Sequence, residues 1–216
     1  MKKMRRDGDV GKDLMDKMLA EKIFSKRLET LNGAAMEFIS YFHSAKSFNF
    51  EQLYGHLEPV FSQEGWRTKN FLREEEKILV ICNDVIDDVV DVNNFLKNIR
   101  EQKPLVKITF LTDVRSQKLM SNLKYADKIV SLDITFSQDI MWQICKFIEL
   151  CRENLWQEYF STCYLPNLET NFALNTLFGY LSGTRLRIGY FGNAEKVPAD
   201  ILNYMKFFSQ LFVANM

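Results

Sequence analysis

The residues with most chemical potential lie in one short stretch, Cys82-Asn83-Asp84-Val85-Ile86-Asp87-Asp88-Val89-Val90-Asp91. Four carboxylates fall within these few positions, just after an apolar run and at the start of a helical pattern. Three readings are open. Acidic side chains cap a helix start and complement the positive end of its dipole. Grouped carboxylates can also hold a divalent cation. A single carboxylate in a cleft can take a proton from a hydroxyl, as a general base.

The elements around this stretch follow from periodicity. Ile78-Leu79-Val80-Ile81-Cys82 is a continuous apolar run, the pattern of a strand buried on both faces of a parallel sheet. Val89, Val92, Leu96 and Ile99 then share a helical face ending near Pro104. The rhythm repeats: a strand at 106–111, a helix at 115–123, a strand at 128–132 and a long helix bearing Ile140, Ile144, Phe147, Ile148, Cys151 and Leu155. A fourth strand at 160–165, a helix at 172–181 closed by Gly183, and a fifth strand at 185–190 complete it. Alternating strands and helices predict an α/β fold with a doubly wound parallel sheet. Residues 198–216 read as a last amphipathic helix, with Ile201, Met205, Phe208 and Phe212 along it.

Upstream the period is helical throughout. Residues 1–10 form a basic tail expected to be flexible, and 11–75 a small helical extension with a charged end. Met15, Met18, Leu19 and Ile23 open a stripe that Gly33 is expected to stop. A second helix carries Ala35, Phe38, Ile39 and Phe42, and a third starts at Asn49. Residues 76–216 make the main domain.

Bulk composition excludes some classes. Hydrophobic residues make up 47%, with 18 Phe among them, which is ample for a core. Basic and acidic residues balance at 28 each, so the excess that drives nucleic-acid binding is missing. No run of about 18–20 apolar residues could span a bilayer, and no apolar segment follows the basic start to make a signal peptide. Cys82, Cys145, Cys151 and Cys163 lack Cys-x-x-Cys spacing, and His43 and His56 lie far from them, against a structural zinc site. Reduced thiols in the cytoplasm are the expectation. A receiver-type signalling domain also clusters acids after its first strand, and Asp133 stands near the end of the third. The segment Gly179-Tyr-Leu-Ser-Gly-Thr-Arg-Leu-Arg-Ile-Gly189 has no place in that pattern.

Residues 78–96, Ile-Leu-Val-Ile-Cys-Asn-Asp-Val-Ile-Asp-Asp-Val-Val-Asp-Val-Asn-Asn-Phe-Leu, resemble the opening of glycosyltransferase family 9, the heptosyltransferase family. Its pattern is Ile-Leu-Val-Ile-basic-x-Ser-Ser-x-Gly-Asp-Val-Val. Lys107-Ile-Thr-Phe-Leu-Thr is similar to the family's second strand, and Tyr125-Ala-Asp-Lys-Ile-Val to the motif before its third. Leu181-Ser-Gly-Thr-Arg-Leu-Arg-Ile-Gly-Tyr190 resembles a Gly-x-x-x-Arg-Ile-Gly-Phe ending of the acceptor domain. The likeness covers residues 76–190. It implies one Rossmann-like half of a GT-B fold, the half that binds a sugar or lipid-linked sugar acceptor in lipopolysaccharide or other surface-polysaccharide glycosylation. It also implies a cytoplasmic site of action peripheral to the inner membrane.

In the family a carboxylate takes the proton of the attacking hydroxyl in an inverting displacement, and the family's Asp falls on Asp88. Asp84 and Asp87 join it as acceptor-loop candidates. Here Cys82 replaces the basic residue, Asp84 and Val85 the serines, and Asp87 the glycine. An acidic loop repels phosphorylated acceptors, which favours a non-catalytic binding or scaffolding module as the alternative. Too few residues follow Tyr190 for a donor-binding fold, so residues 1–216 alone are not expected to transfer sugar efficiently. No resident cofactor or metal is implied; a nucleotide-sugar donor is expected only with a second domain or chain. Self-association through the C-terminal helix is the remaining partner expectation.

Overall fold

In the computed structural model the chain divides into two compact units, Met1–Glu74 and Glu75–Met216. The structure describes scattered residues between 18 and 40, then 76–83, 89–134, 139–166, 172–184, 186–192, 195, 197–199, 201 and 205–213. Every described residue of the first unit is helical, Gly33 included, so this glycine does not stop its helix. The expected third helix and the charged end of the extension lie outside the described residues.

In the second unit the apolar run becomes β1 (Lys77–Cys82), with Ile78 through Cys82 all buried. The elements that follow are α1 (Val89–Gln102), β2 (Lys107–Asp113), α2 (Gln117–Met120), β3 (Lys128–Leu132), α3 (Ile140–Leu150), β4 (Thr162–Leu165), α4 (Phe172–Leu181), β5 (Leu186–Phe191) and β6 (Gln210–Val213). The six strands form one sheet in the order β3-β2-β1-β4-β5-β6. All of its pairings are parallel. The doubly wound α/β expectation holds, with one strand more than the sequence suggests.

Each face of the sheet has its own cover. Ile78, Val80 and Cys82 of β1 join Ile108 and Phe110 of β2 and Leu96 and Ile99 of α1 in one buried cluster. Alternation sends Leu79 and Ile81 to the opposite face. There α4 lies close on β4: a Cβ added to Gly179 would stand 2.8 Å from Leu165 Cδ1. Phe147 of α3 and Phe178 of α4 stack at 4.1 Å between ring centroids, with 12° between their planes. The long helix read at 140–155 is α3 continued by a π-helical turn over Cys151–Leu155. That turn aims the indole of Trp156, whose Nε1 donates to Leu181 O at 3.0 Å.

The expected C-terminal helix is not formed. Met205–Phe207 make one 3-10 turn, and Gln210–Val213 pair with β5 as its outer neighbour. Helical spacing of Ile201, Met205, Phe208 and Phe212 is outweighed by the open edge of β5. Ser209 N donates to Arg187 O at 2.8 Å, and Arg187 N donates to Ser209 Oγ at 3.1 Å. Phe207 is buried against Tyr180 at 5.1 Å, and Phe212 stacks on Tyr190 at 5.2 Å. Self-association through a C-terminal helix therefore has no helix to act through among the described residues.

Two segments that carry the family resemblance hold the sheet together. Asp127 accepts from Ile108 N at 2.7 Å and from Arg100 Nη2 at 2.7 Å, pinning the end of α1 to the start of β2. Burial pushes its carboxyl up, but these two bonds and the nearby Arg100 charge outweigh that and hold it below the usual range. At the other segment, Gly183 takes a left-handed φ of 71° after α4. Ser182 Oγ donates to Gly179 O at 2.7 Å, closing the helix end. Arg187 then donates through Nε to Phe207 O and through Nη1 to Thr184 O, with its guanidinium 5.5 Å from the Tyr180 ring.

All four cysteines are thiols, three of them buried. Burial pushes the Cys163 thiol up to about 12 and Cys151 well above its ordinary value. The unfolded chain ionises these thiols first as pH rises. Their contribution to stability is therefore complete below the ordinary thiol pKa and falls away as pH climbs from there toward about 12. The melting temperature is expected to hold up to about pH 8 and then decline, and Cys163→Ala should shallow that decline. An identical alkaline slope in the variant would contradict this.

Candidate functional site

Because all six strands are parallel, their carboxyl ends share one edge of the sheet. The connection from β1 runs to β2 on one side, while β4, its other neighbour, leads on to β5. Strand order reverses between β1 and β4, and a crevice opens beyond the carboxyl ends at such a reversal. Cys82 ends β1 there with Asn83 directly after it, and Leu165 ends β4. From β4 the chain enters α4, whose Asn175 and Thr176 are buried.

Asp84, Asp87 and Asp88 lie outside the described residues. They belong to the segment 84–88 that joins Asn83 to Val89 at the start of α1. Asp91, the fourth carboxylate, is exposed in the first turn of α1, where it complements the helix dipole. Cys82, which stands where the family pattern has a basic residue, is buried in the apolar cluster with Val80, Leu96 and Phe110. It brings no positive charge to the crevice.

Several polar groups at this edge are not evident from the sequence. Asn83 is 2% exposed, and among the described residues neither its Oδ1 nor its Nδ2 has a hydrogen-bond partner. Thr112, paired in register with Cys82, is wholly buried with its Oγ1 also unpartnered. Leaving a buried polar group unsatisfied costs about 1–3 kcal/mol. Asp113, at the end of β2, is fully buried but fully engaged. Its Oδ1 accepts from Arg115 N at 2.7 Å and Arg115 Nε at 2.8 Å, and its Oδ2 from Arg115 Nη2 at 2.9 Å. It caps the 3-10 turn and is not available as a base. A polar residue directly after a buried strand is the only sequence signal these positions carry, and it reads equally well as a turn or a cap.

Asp133 follows β3 at the same edge and is half-buried. Among the described residues no group of three His, Cys, Asp or Glu side chains could hold a metal ion, and no helix is long and apolar enough to cross a membrane.

No family model matches the chain, and no curated protein does. The solved structures similar to it include the following two. A glycosyl transferase family 9 protein from Veillonella parvula is 15% identical, with a TM-score of 0.48 over 65% of this chain and 37% of that one. The ADP-heptose LPS heptosyltransferase II of E. coli is 16% identical, with a TM-score of 0.46 over 64% of this chain and 35% of that one. The chain thus spans little more than a third of the length of either.

Proposed function

We propose that residues 76–216 are the acceptor-binding half of a heptosyltransferase-type inverting glycosyltransferase, with Asp88 as general base and Asp84 and Asp87 beside it in the acceptor loop. The observation that carries the reading is topological. The only segment that leaves β1 at the reversal of strand order is 84–88, the one whose Asp88 matches the family's carboxylate. The acceptor is a sugar or lipid-linked sugar of surface-polysaccharide or lipopolysaccharide assembly, met at the cytoplasmic face of the inner membrane.

The chemistry assigned to the chain's own residues is limited. A sugar hydroxyl held at the crevice loses its proton to the Asp88 carboxylate as its oxygen attacks the donor's anomeric carbon. The bond to the nucleoside diphosphate breaks in the same displacement, and the configuration inverts. One sheet offers one such crevice, so the nucleotide-sugar donor needs a second fold, from a longer chain or a second one.

Turnover of a nucleotide-sugar by this chain together with a donor-binding partner tests the reading. Asp88→Asn is expected to lower the rate by about 10²–10⁴-fold while the variant melts like the wild type. Full activity in Asp88→Asn would remove the base.

A second reading, a binding or scaffolding module without catalysis, is favoured by buried Cys82. A phosphorylated acceptor then finds no positive charge at that position and three carboxylates in the segment that follows. No turnover with any donor-binding partner, together with retained acceptor binding, is its expected outcome.

A further inference from the structure

The side chain of Asn83 is cut off from solvent at the edge of the sheet where ligands bind, with neither end of its amide satisfied among the described residues. Continued alternation along β1 puts it on the face opposite Cys82, the face covered by α3 and α4. A carboxamide carries one acceptor oxygen and one donor nitrogen, so a partner that completes it must both donate and accept. Phosphate and carboxylate only accept: they would satisfy Nδ2 and set a negative charge against Oδ1. An ammonium only donates and would leave Nδ2 bare. A hydroxyl does both, and two adjacent hydroxyls of a sugar ring can meet the oxygen and the nitrogen together. Thr112, the register partner of Cys82, lies on the other face of the sheet and takes no part in this site.

We infer that Asn83 is a specificity-determining residue that reads two neighbouring hydroxyls of an uncharged sugar at the carboxyl end of β1. The inference rests on the acceptor-domain reading only for the reaction that the sugar would enter. The unliganded amide is closed to solvent, so binding includes a local opening, and the affinity is expected to be weak, roughly millimolar.

Saturation-transfer NMR on the full chain tests this with methyl α-D-mannopyranoside, alone and with inorganic phosphate as a competitor. The glycoside signal is expected to survive an equal concentration of phosphate, which satisfies only Nδ2 and sets a negative charge against Oδ1. Asn83→Leu and Asn83→Val should abolish the glycoside signal. Without ligand they should melt at or above the wild-type temperature, because an unsatisfied amide has been replaced by carbon.

Three results overturn the inference. No glycoside signal from the wild type, or its loss to an equal concentration of phosphate, removes the uncharged sugar. Both apolar variants melting lower, or failing to fold, would show an amide that the fold itself uses. Variants that bind the glycoside like the wild type would show that Asn83 does not read it. Asp88→Asn is expected to keep the glycoside signal. Binding that depends on Asn83 without any turnover therefore sinks the catalytic reading alone, and turnover that ignores Asn83 sinks this one alone.

Discussion

Phe178→Ala is expected to destabilise the chain by about 3–5 kcal/mol, the cost of emptying a buried aromatic site. Phe178 is fully buried in the middle of α4 and lies almost parallel to Phe147 of α3 at 4.1 Å. That contact fastens the two helices of one face to each other above β1 and β4. Urea denaturation should show the midpoint falling with the slope unchanged. A double-mutant cycle with Phe147→Ala should return a coupling of about 0.5–1.5 kcal/mol for the ring pair beyond the area each buries. A loss below about 1 kcal/mol in the single variant would mean that the rings are not packed in this way. Domains commonly hold only about 5–15 kcal/mol in total, so the variant is expected to be marginal at 37 °C.

The second large effect is expected at Arg187. Its guanidinium donates to two main-chain carbonyls, of Thr184 and Phe207, and lies over Tyr180. Arg187→Leu leaves both carbonyls without that donor and is expected to cost about 2–3 kcal/mol. Lysine should recover little, because a single ammonium cannot reach two diverging carbonyls or lie flat on a ring. Hydrogen exchange separates this from general loosening. The amides of β6 should exchange faster while those of β1 and β2 stay protected. Uniform acceleration across the sheet would count against a local role. The same arginine belongs to the segment that most resembles the family pattern, and its contacts here are those of a clasp between β5, the end of α4 and the turn before β6.

How far the sequence could be read varies with how local the deciding forces are. Helix α4 spans the residues expected for it, because Gly183 ends it through a backbone preference that neighbours do not alter. β1 is equally plain, since five consecutive buried apolar residues suit only the centre of a parallel sheet. The segment after 198 went the other way. Its apolar residues fit a helix and a strand about equally, and the choice falls to the unpaired edge of β5, which no local pattern reports. Boundaries on β4 and α2 shorten for a related reason, the ends being set by what packs across the sheet.

At the site the same division appears. A cluster of acids after a strand is visible in the sequence, and Asp91 takes its place in the first turn of α1. The buried state of Asn83 and the three-bond engagement of Asp113 by Arg115 are products of tertiary packing. Either residue, read alone, is an ordinary polar residue at a strand end.

The direction of β6 has a practical consequence. Running parallel to β5, it delivers the polypeptide at the same rim as the ends of β1 and β4. A reporter carried on exposed Val213, which ends β6, would therefore stand on that rim, two strands from β4. An antiparallel last strand would have sent it to the far rim. Labels for binding work therefore belong at the opposite rim, where the strands begin.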